Sequence, residues 1–420
     1  MRLLPLALVG LLVAATVGVG AVVPAPVADA EPSTPAAPLQ VSTTDQSTTE
    51  IAGTPTNVLA IPGPLVERSS LRRHHVDIGP AAGFDTAAAT DSIATAALER
   101  ELAAGNDTER RQRLRTEIDR LETTVERLNQ REAEAIRAFA AGNREPKALL
   151  EELALIGGTA TRLQQRLDVL ETQANSLEAD SSLSDRLTAV DYELRMLDGP
   201  VRGYAAAVFS ADRPAGRISI QATDESIELT AIDGDTYLRE VYRMDNRRGG
   251  GEITAETVEA FAEEQYPVWW ESRSGGTWSI AGPGPISVLS INGIELGSLQ
   301  LFVDGSTERP FVEHQQLALD ELVASQQTTK LQDGLEVRVD RTYIGGPLRA
   351  TVVDADTGEP VDATVRLGQN GQESQQIGET NDGSGVWALT PRGEFTITVL
   401  SADDSAAFVE ITPQEATEAV

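Results

Sequence analysis

The chain contains no cysteine, only three histidines and few aromatic residues, which make up 4% of its 420 residues. Without cysteine there are no disulfides, thiolate metal sites, thiol nucleophiles or lipid-modified cysteines. The adjacent pair His74-His75 would project in different directions, and no carboxylate stands beside it or beside His314 at zinc-ligand spacing. Most nucleophile and general-base schemes therefore lack their parts. We predict no catalytic residue, no metal site and no cofactor.

Lysine is almost missing as well. It occurs twice, at Lys147 and Lys330, whereas aspartate and glutamate total 65 and the formal net charge is -31. At molar salt the Debye length falls to about 3 Å, so repulsion among surface carboxylates is screened. The composition therefore indicates a halophilic protein, although a GC-rich genome would also favour arginine over lysine. A calcium-loaded surface protein is the alternative interpretation. Because no basic face is evident, we expect no nucleic-acid partner.

The chain opens with an uncharged, mostly apolar run from Leu3 to Val23. Ala28-Asp29-Ala30 follows, with small residues at the positions that a signal peptidase reads. We expect residues 1–30 to be a signal peptide cleaved after Ala30. An uncleaved membrane anchor is the alternative, since about 20 apolar residues can span a bilayer. Residues 31–56, rich in Ser, Thr, Pro and Ala, are predicted to be a linker. The protein is therefore expected outside the cell or at its surface.

Residues 57–200 are predicted to form a helical bundle or coiled-coil hairpin. Apolar residues recur at alternating spacings of four and three, which is typical of heptads. Gly142 and Pro146 mark a turn short enough to make the two longest helices antiparallel. An intermolecular coiled coil on the same seam is the alternative and would make the protein a homo-oligomer. The predicted inward residues are Ile93, Leu98 and Leu102 in a preceding helix, then Leu114, Ile118, Leu121, Val125, Leu128, Glu132, Ala135 and Phe139, then Leu149, Leu153, Ile156, Ala160, Leu163, Leu167, Leu170, Ala174 and Leu177, and finally Leu183, Leu187, Val190, Leu194 and Leu197.

After Gly199-Pro200 the apolar period changes to two, which indicates β-strands. Residues 201–330 are predicted to be an α+β domain, in which one helix, Thr254 to Tyr266, packs on an antiparallel sheet. Gln316 to Gln327 is expected to be a connecting helix. Residues 331–420 show short alternating strands and predict a β-sandwich. The fold class is therefore multidomain: an α-helical antiparallel bundle, then an α+β antiparallel sheet domain, then a small all-β sandwich.

Three of the four tryptophans, Trp269, Trp270 and Trp278, cluster in the α+β domain. Exposed tryptophans bind sugars or proteins, whereas buried ones fill a small core. Because Trp269 and Trp270 are adjacent, in a strand they would face opposite sides, one buried and one exposed. We take the three as a candidate ligand surface, with a cell-envelope protein or a polysaccharide as the partner.

Two further groups of polar residues have a chemical interpretation. Asn106-Asp107-Thr108 is the sole glycosylation sequon and lies in a predicted loop, which makes Asn106 the candidate glycosylation site. Four carboxylates between Asp354 and Asp362 offer oxygen ligands for calcium. However, Gly358 stands where a third ligand is expected, and no bidentate glutamate follows at the required distance. We therefore interpret these carboxylates as part of a hairpin turn.

The C-terminal part of the chain resembles a known type of sandwich. Val352 to Val361, with the sequence VVDADTGEPV, resembles the opening hairpin of carboxypeptidase-regulatory-like, transthyretin-type domains. Thr390 to Val399, TPRGEFTITV, is similar to their proline-glycine-aromatic strand. The turn between them departs from the pattern, with Trp387 where Phe or Tyr is usual. The resemblance implies a small exposed sandwich and supplies no catalytic residue.

The layout as a whole resembles uncharacterised exported proteins of haloarchaea. The similarity rests on Asn57 to Pro62 (NVLAIP), on the arginine-rich helical hairpin, on Tyr237 to Glu240 (YLRE) and on the segment from Asp304 to Gln315. No activity comes with this resemblance, which implies compartment and layout only.

These features predict a non-catalytic exported or cell-surface protein of a halophile that acts as a binding or structural module. Contact with a membrane is expected only through the N-terminal segment. The alternative is an extracellular hydrolase or an accessory subunit of one, which a deep cleft lined by converging carboxylates would favour.

Overall fold

A computed structural model of the chain describes residues 45–51, 58–62, 66–70, 78–177, 181–214, 216–282, 284–369, 373–381 and 383–415. The predicted signal peptide, its cleavage position at Ala30 and the pair His74-His75 lie outside these residues. Among the described helices, none combines the length and the apolar character needed to cross a membrane.

The first part of the fold is a bundle of helices. Every heptad position from Leu114 to Leu197 that the sequence predicts to face inward is buried within the single chain. Residues near the end of the second helix pack on the start of the third, so the two helices are antiparallel as predicted. The described helices of this part are α1 (Ile78–Ala104), α2 (Asp107–Ala140), α3 (Pro146–Ser176), α4 (Ser181–Leu197) and α5 (Pro200–Phe209).

Ile93 of α1 departs from the prediction, because its side chain is 72% exposed. Leu98 and Leu102 of the same helix are buried against the bundle. At 100° per residue, Ile93 lies about 140° around the helix from Leu98, so one helix face cannot hold both.

The middle part is an antiparallel sheet with the strand order β2-β3-β4-β5-β9-β8-β7-β6. One face packs on α2, α3 and α5, and the other on two further helices, so the sheet is covered on both sides. The strands are β2 (Val66–Ser70), β3 (Ile218–Ala222), β4 (Ser226–Asp233), β5 (Thr236–Arg243), β6 (Thr277–Ala281), β7 (Ile286–Ile294), β8 (Gly297–Asp304) and β9 (Pro310–Ala318), and the helices between β5 and β6 are α6 (Ala255–Gln265) and α7 (Pro267–Ser272). Short 3-10 turns lie at Met244–Asn246 and Arg273–Gly275.

The last part is a sandwich of two antiparallel sheets, ordered β1-β10-β11-β12-β15 and β14-β13-β16-β17. Alternating apolar residues of both sheets form its core, including Val337, Val339, Val365 and Ile397. The strands are β1 (Gln46–Glu50), β10 (Gln326–Gln332), β11 (Leu335–Arg341), β12 (Pro347–Asp354), β13 (Ala363–Gln369), β14 (Gln375–Thr380), β15 (Val386–Leu389), β16 (Phe395–Ser401) and β17 (Ala406–Ile411). The predicted sequence of helical bundle, α+β domain and sandwich is confirmed.

Three local predictions are wrong. The β-strands do not follow directly after Gly199-Pro200, because α5 occupies Pro200–Phe209 and the next strand begins at Ile218. Gln316 to Gln327 is not a helix: β9 runs to Ala318, a 3-10 turn spans Leu319–Glu321, and β10 begins at Gln326. Strand β9 bonds to β5 on one side and β8 on the other, and these ladders outweigh local helix propensity. In addition, residues 46–50 of the predicted linker form β1, which pairs with β10 of the sandwich.

Candidate functional site

Strand β5 carries two adjacent buried charges at the centre of the sheet. Arg239 is 0% exposed and Glu240 is 3% exposed. Since successive side chains of a strand point to opposite faces, each charge lies under a different covering layer. Charged side chains are seldom buried unless they are paired and hydrogen-bonded. Both residues have such partners, on opposite faces of the sheet.

On the face that carries α6 and α7, Arg239 pairs with Glu228 of β4 at 2.6 Å and with Glu313 of β9. These three side chains, which we call the strap clamp, hold residues 58–62, which we call the strap. Arg239 donates to the carbonyl of Leu59 at 2.8 Å, and Glu313 Oε2 accepts the N–H of Leu59 at 2.7 Å. The clamp thus binds both backbone groups of one residue.

The strap is held further along its length. Arg243 donates to the carbonyl of Ala60 at 3.0 Å. Leu59 and Ile61 pack their side chains on Val241. The strap therefore adds an apolar contact and three backbone hydrogen bonds to this face of the sheet.

Buried tyrosines complete the surroundings of the strap clamp. Tyr266 donates its hydroxyl to Glu313 Oε2 at 2.6 Å. Tyr237 donates to the carbonyl of Gly345 at 3.2 Å, and its hydroxyl lies 3.4 Å from that of Tyr343. Burial raises the pKa of Tyr343 to about 12 and raises the pKa values of Tyr237 and Tyr266 well above 10. All three hydroxyls therefore keep their protons and act as neutral donors.

The strap clamp also reaches the sandwich. Gln221 of β3 donates to Glu228 Oε1 at 3.3 Å, and its own Oε1 accepts a bond from Arg392 at 3.0 Å. A continuous chain of bonds therefore links the sandwich, the sheet and the strap.

The charge balance of the strap clamp explains why it needs the strap. One guanidinium faces two carboxylates, so one negative charge is left for neutral donors to stabilise. The N–H of Leu59 and the hydroxyl of Tyr266 supply those donors to Glu313. A buried carboxylate without such partners would carry a large desolvation penalty. The strap and the buried charges therefore stabilise each other.

On the helix-covered face lies a second cluster, which we call the helix clamp: Glu132 of α2, Arg202 of α5 and Glu240. Arg202 contacts Glu240 at 2.9 Å and Glu132 at 2.8 Å. Glu240 Oε2 also accepts the backbone N–H groups of Val201 at 3.0 Å and Arg202 at 3.2 Å. A carboxylate at a helix N-terminus is stabilised by the free N–H groups there. Glu240 thus caps α5, whose N-cap residue, Gly199, has no side chain to do so.

Two glycines permit this close packing. A Cβ at Gly199 would lie 2.0 Å from Glu240 Oε2, and one at Gly157 would lie 2.9 Å from Arg202 Cδ.

Burial raises the pKa of Glu132, although Arg202 opposes the rise. Burial also disfavours the charge on Arg202, but Glu240 and Glu132 more than compensate and raise its pKa above the usual value.

His314 of β9 lies directly across from Glu240 in the sheet. Its ring meets Phe302 edge to face, with 6.0 Å between the centroids. Burial lowers the pKa of His314 to about 4; Arg202 and Arg195 add to the lowering and Glu240 opposes it. His314 is therefore neutral near pH 7.

Three family models match the chain. A model described as Domain of unknown function (DUF7096) matches residues 1–213, which is more than half of the sequence. The chain belongs to the DUF7096 family. Residues 218–323 match a Family of unknown function (DUF7094), and residues 326–408 match an Archaeal fibronectin-III type-like domain. None of the curated proteins compared with the chain matches it.

The DUF7096 region contributes strands to both of the regions that follow it. Its β1 pairs with β10 of the fibronectin-III type-like region, and its β2 pairs with β3 of the DUF7094 region. Its strap, between these strands, binds the strap clamp. The sandwich predicted from the transthyretin-type resemblance is confirmed, but the matching family model is fibronectin-III type-like.

The DUF7096 protein does not present its three clustered tryptophans as one surface. Trp269 is 0% and Trp270 is 7% exposed, since both belong to α7 and their side chains enter the core, whereas Trp278 of β6 is 42% exposed. The expectation that one of the adjacent pair would be exposed is wrong, because they lie in a helix, where neighbours are only 100° apart. The guanidinium of Arg273 lies 3.8 Å from the Trp270 ring centroid and 5.6 Å from that of Trp278.

The other predicted site residues have local structural roles. Asn106 is exposed and caps α2, with its side chain accepting bonds from the backbone N–H groups of Thr108 and Glu109. Asp354 accepts bonds from the N–H groups of Asp356 and Thr357, which closes the turn after β12. Within the part of the chain that the structure describes, no group of three His, Cys, Asp or Glu side chains is arranged to hold a metal ion.

Sequence reasoning did not identify the two clamps as a site. Glu132 stood out only as the polar member of a heptad seam, and Glu313 was one acidic residue among 65. A signal was nevertheless present, since the segments NVLAIP, YLRE and Asp304 to Gln315 supply Leu59, Arg239 and Glu313. The structure brings all three segments together.

Proposed function

We propose that this DUF7096 protein is a non-catalytic structural or binding module of an archaeal cell surface, exported through its apolar N-terminal segment. The observation that carries the proposal is the placement of three described segments, residues 45–51, 58–62 and 66–70. Strand β1 completes the sandwich, the strap lies in its clamp, and β2 extends the sheet. The segment that follows the export signal thus fastens the domains to one another.

The use of the buried carboxylates supports a structural role over the hydrolase alternative. A glycoside hydrolase keeps two carboxyl groups free to act on a substrate. Here Glu132, Glu228, Glu240 and Glu313 each contact an arginine guanidinium. Glu240 and Glu313 also accept backbone amides. These carboxylates therefore serve to join layers of the fold.

The partner that we propose is a cell-envelope protein or polysaccharide, with Trp278 as one contact. We also propose that the acidic composition adapts the surface to concentrated salt, since screening removes most of the repulsion within a charge of -31. The three family models support the archaeal origin of the domains and are compatible with a module of this kind.

The proposal is tested by protease treatment of intact cells. A C-terminal epitope is added to the full chain, which is produced in an archaeal host and exposed to an external protease. We expect the epitope to be lost from intact cells, and to survive in a matched variant that lacks residues 3–23. Survival of the epitope in intact cells, together with its loss after lysis, would show an internal protein and overturn the proposal.

A further inference from the structure

Strand β1 is bound to the sandwich through its backbone and through two polar side chains, Thr48 and Gln46, the second of which donates to the Glu410 carbonyl at 2.7 Å. All five of its residues, QSTTE, are polar and exposed. The ladder with β10 is extended at both ends, where Leu331 N–H donates to Asp45 and Ile51 N–H donates to Ser325. Thr48 Oγ1 lies 3.0 Å from Thr328 Oγ1. Elements with few buried apolar contacts open at low free-energy cost, so β1 is a loosely held strand.

The strap, by contrast, is held firmly. Buried side chains of an ion-paired cluster bind both backbone groups of Leu59, whereas the described contacts of β1 are its backbone ladder and the side chains of Thr48 and Gln46. The strand can therefore leave β10 without disturbing the strap. The 12 residue steps from Gln46 to Val58 span at most about 40 Å whatever path they take, which sets the reach of β1 from its fixed point.

The neighbouring edge of the sandwich, β17, is closed to added strands while β1 is in place, because one of its three caps, Gln46, belongs to β1. Along β17 the alternate N–H groups of Ala406, Phe408 and Glu410 bond to side chains. The acceptors are Asp333, Gln332 and Gln46, in that order. Such caps remove the donors with which an edge strand would pair to another chain. The edge of β10 has no such side-chain caps in the described contacts and instead takes a strand through its backbone.

We propose that β1 exchanges between copies of this chain, so that β1 of one copy occupies the β10 edge of another. A second copy offers the same five residues, and every hydrogen bond lost within one chain is regained between two. The balance between the two arrangements is then set by concentration rather than by new contacts. This inference rests on the edge of the sandwich and does not depend on the proposed location of the protein.

Because the chain has no cysteine, introduced thiols can report the exchange. Full-length T48C carrying a size tag is mixed with untagged T328C at about 1 mM, the range of effective concentrations for short flexible tethers. The two side chains touch in the structure, so a disulfide is within reach when β1 is seated. On mild oxidation we expect a mixed disulfide at least about tenfold above that of a control pair, T48C with T398C, because Thr398 lies in the opposite sheet.

Thr328 is buried, so T328C is at risk of failing to fold, and a second pair, T49C with Q327C, keeps the test valid in that case. Thr49 and Gln327 are also register partners, and neither is buried. The double variant T48C/T328C, oxidised when dilute, should lock β1 in its own chain and stay monomeric at any concentration. Mixed disulfide in either register pair above the control supports exchange. Equal cross-linking of register and control pairs at about 1 mM, or none in either register pair, would overturn it.

Discussion

The buried histidine gives this protein a pH dependence that can be calculated. In the folded protein the pKa of His314 is about 4, against about 6.5 in an unfolded chain. As the pH falls below 6.5, the unfolded chain binds a proton and the folded protein does not, so stability falls until the pH reaches about 4. A difference of about 2.5 pH units, at about 1.4 kcal/mol each, gives a total loss of about 3.5 kcal/mol.

The measurement is urea unfolding of the full chain and of H314Q, in concentrated salt, between pH 7 and 4.5. Over this interval the original protein should lose about 2.5 kcal/mol more than the variant. Other groups also titrate: burial raises the pKa of Glu132 and of Asp198, so their protonation on acidification favours the fold. That contribution is common to both proteins and cancels in the comparison.

An NMR titration of the imidazole resonances provides the direct control. With three histidines in the chain, His314 is identified as the resonance missing from the variant. Parallel loss of stability in the two proteins, or a His314 resonance that titrates near pH 6.5, would refute the placement of this ring beneath the helices.

Three more predictions concern the clamps and the salt. Arg239→Met leaves two buried carboxylates without their counter-ion and should lower the free energy of unfolding by about 3 to 5 kcal/mol in urea titrations; a loss below about 1 kcal/mol would contradict the clamp. Gly199→Ala should displace Glu240 from the start of α5 and lower the free energy of unfolding by about 2 kcal/mol. In the control Gly203→Ala the added Cβ meets nothing within 4 Å, so the free energy of unfolding should stay the same or rise by up to about 1 kcal/mol. Equal effects of the two substitutions would rule out the steric argument. Reducing the salt from molar to about 10 mM lengthens the Debye length to about 30 Å and should lower the Tm, and an unchanged Tm in chelator-treated buffer would argue against adaptation to brine.

The elements with strong periodicity were predictable. The heptad positions of α2, α3 and α4 are buried as the spacing requires, because the 3.5-residue repeat places them on one helix face. The alternation that begins at Ile218 located the sheet, although the helix α5 before it was not predicted, and short alternating strands located the sandwich. The helix predicted for Gln316 to Gln327 was wrong, because pairing with strands distant in sequence decides the conformation of this segment.

The attachment of the N-terminal segment was not predictable in the same way. Leu59 and Glu313 are 254 residues apart, and Gln46 and Glu410 are 364 apart. The strap clamp binds backbone N–H and C=O groups, which every residue except proline possesses, so the bound segment shows no distinctive side-chain pattern. Strand β1 is polar on both faces and is also paired through its backbone, so its side chains predicted a linker and not a strand.

Composition and spacing alone therefore determined the acidic charge and the order of helical bundle, sheet and sandwich, since each depends on residues close together in the chain. The tertiary structure alone decided which few of the 65 acidic residues are buried and what they hold. A buried charge is tolerated only where distant parts of the chain supply its partners. Arg239 and Glu240 are neighbours in sequence, yet one holds the strap and the other caps a helix, because a strand sends them to opposite faces.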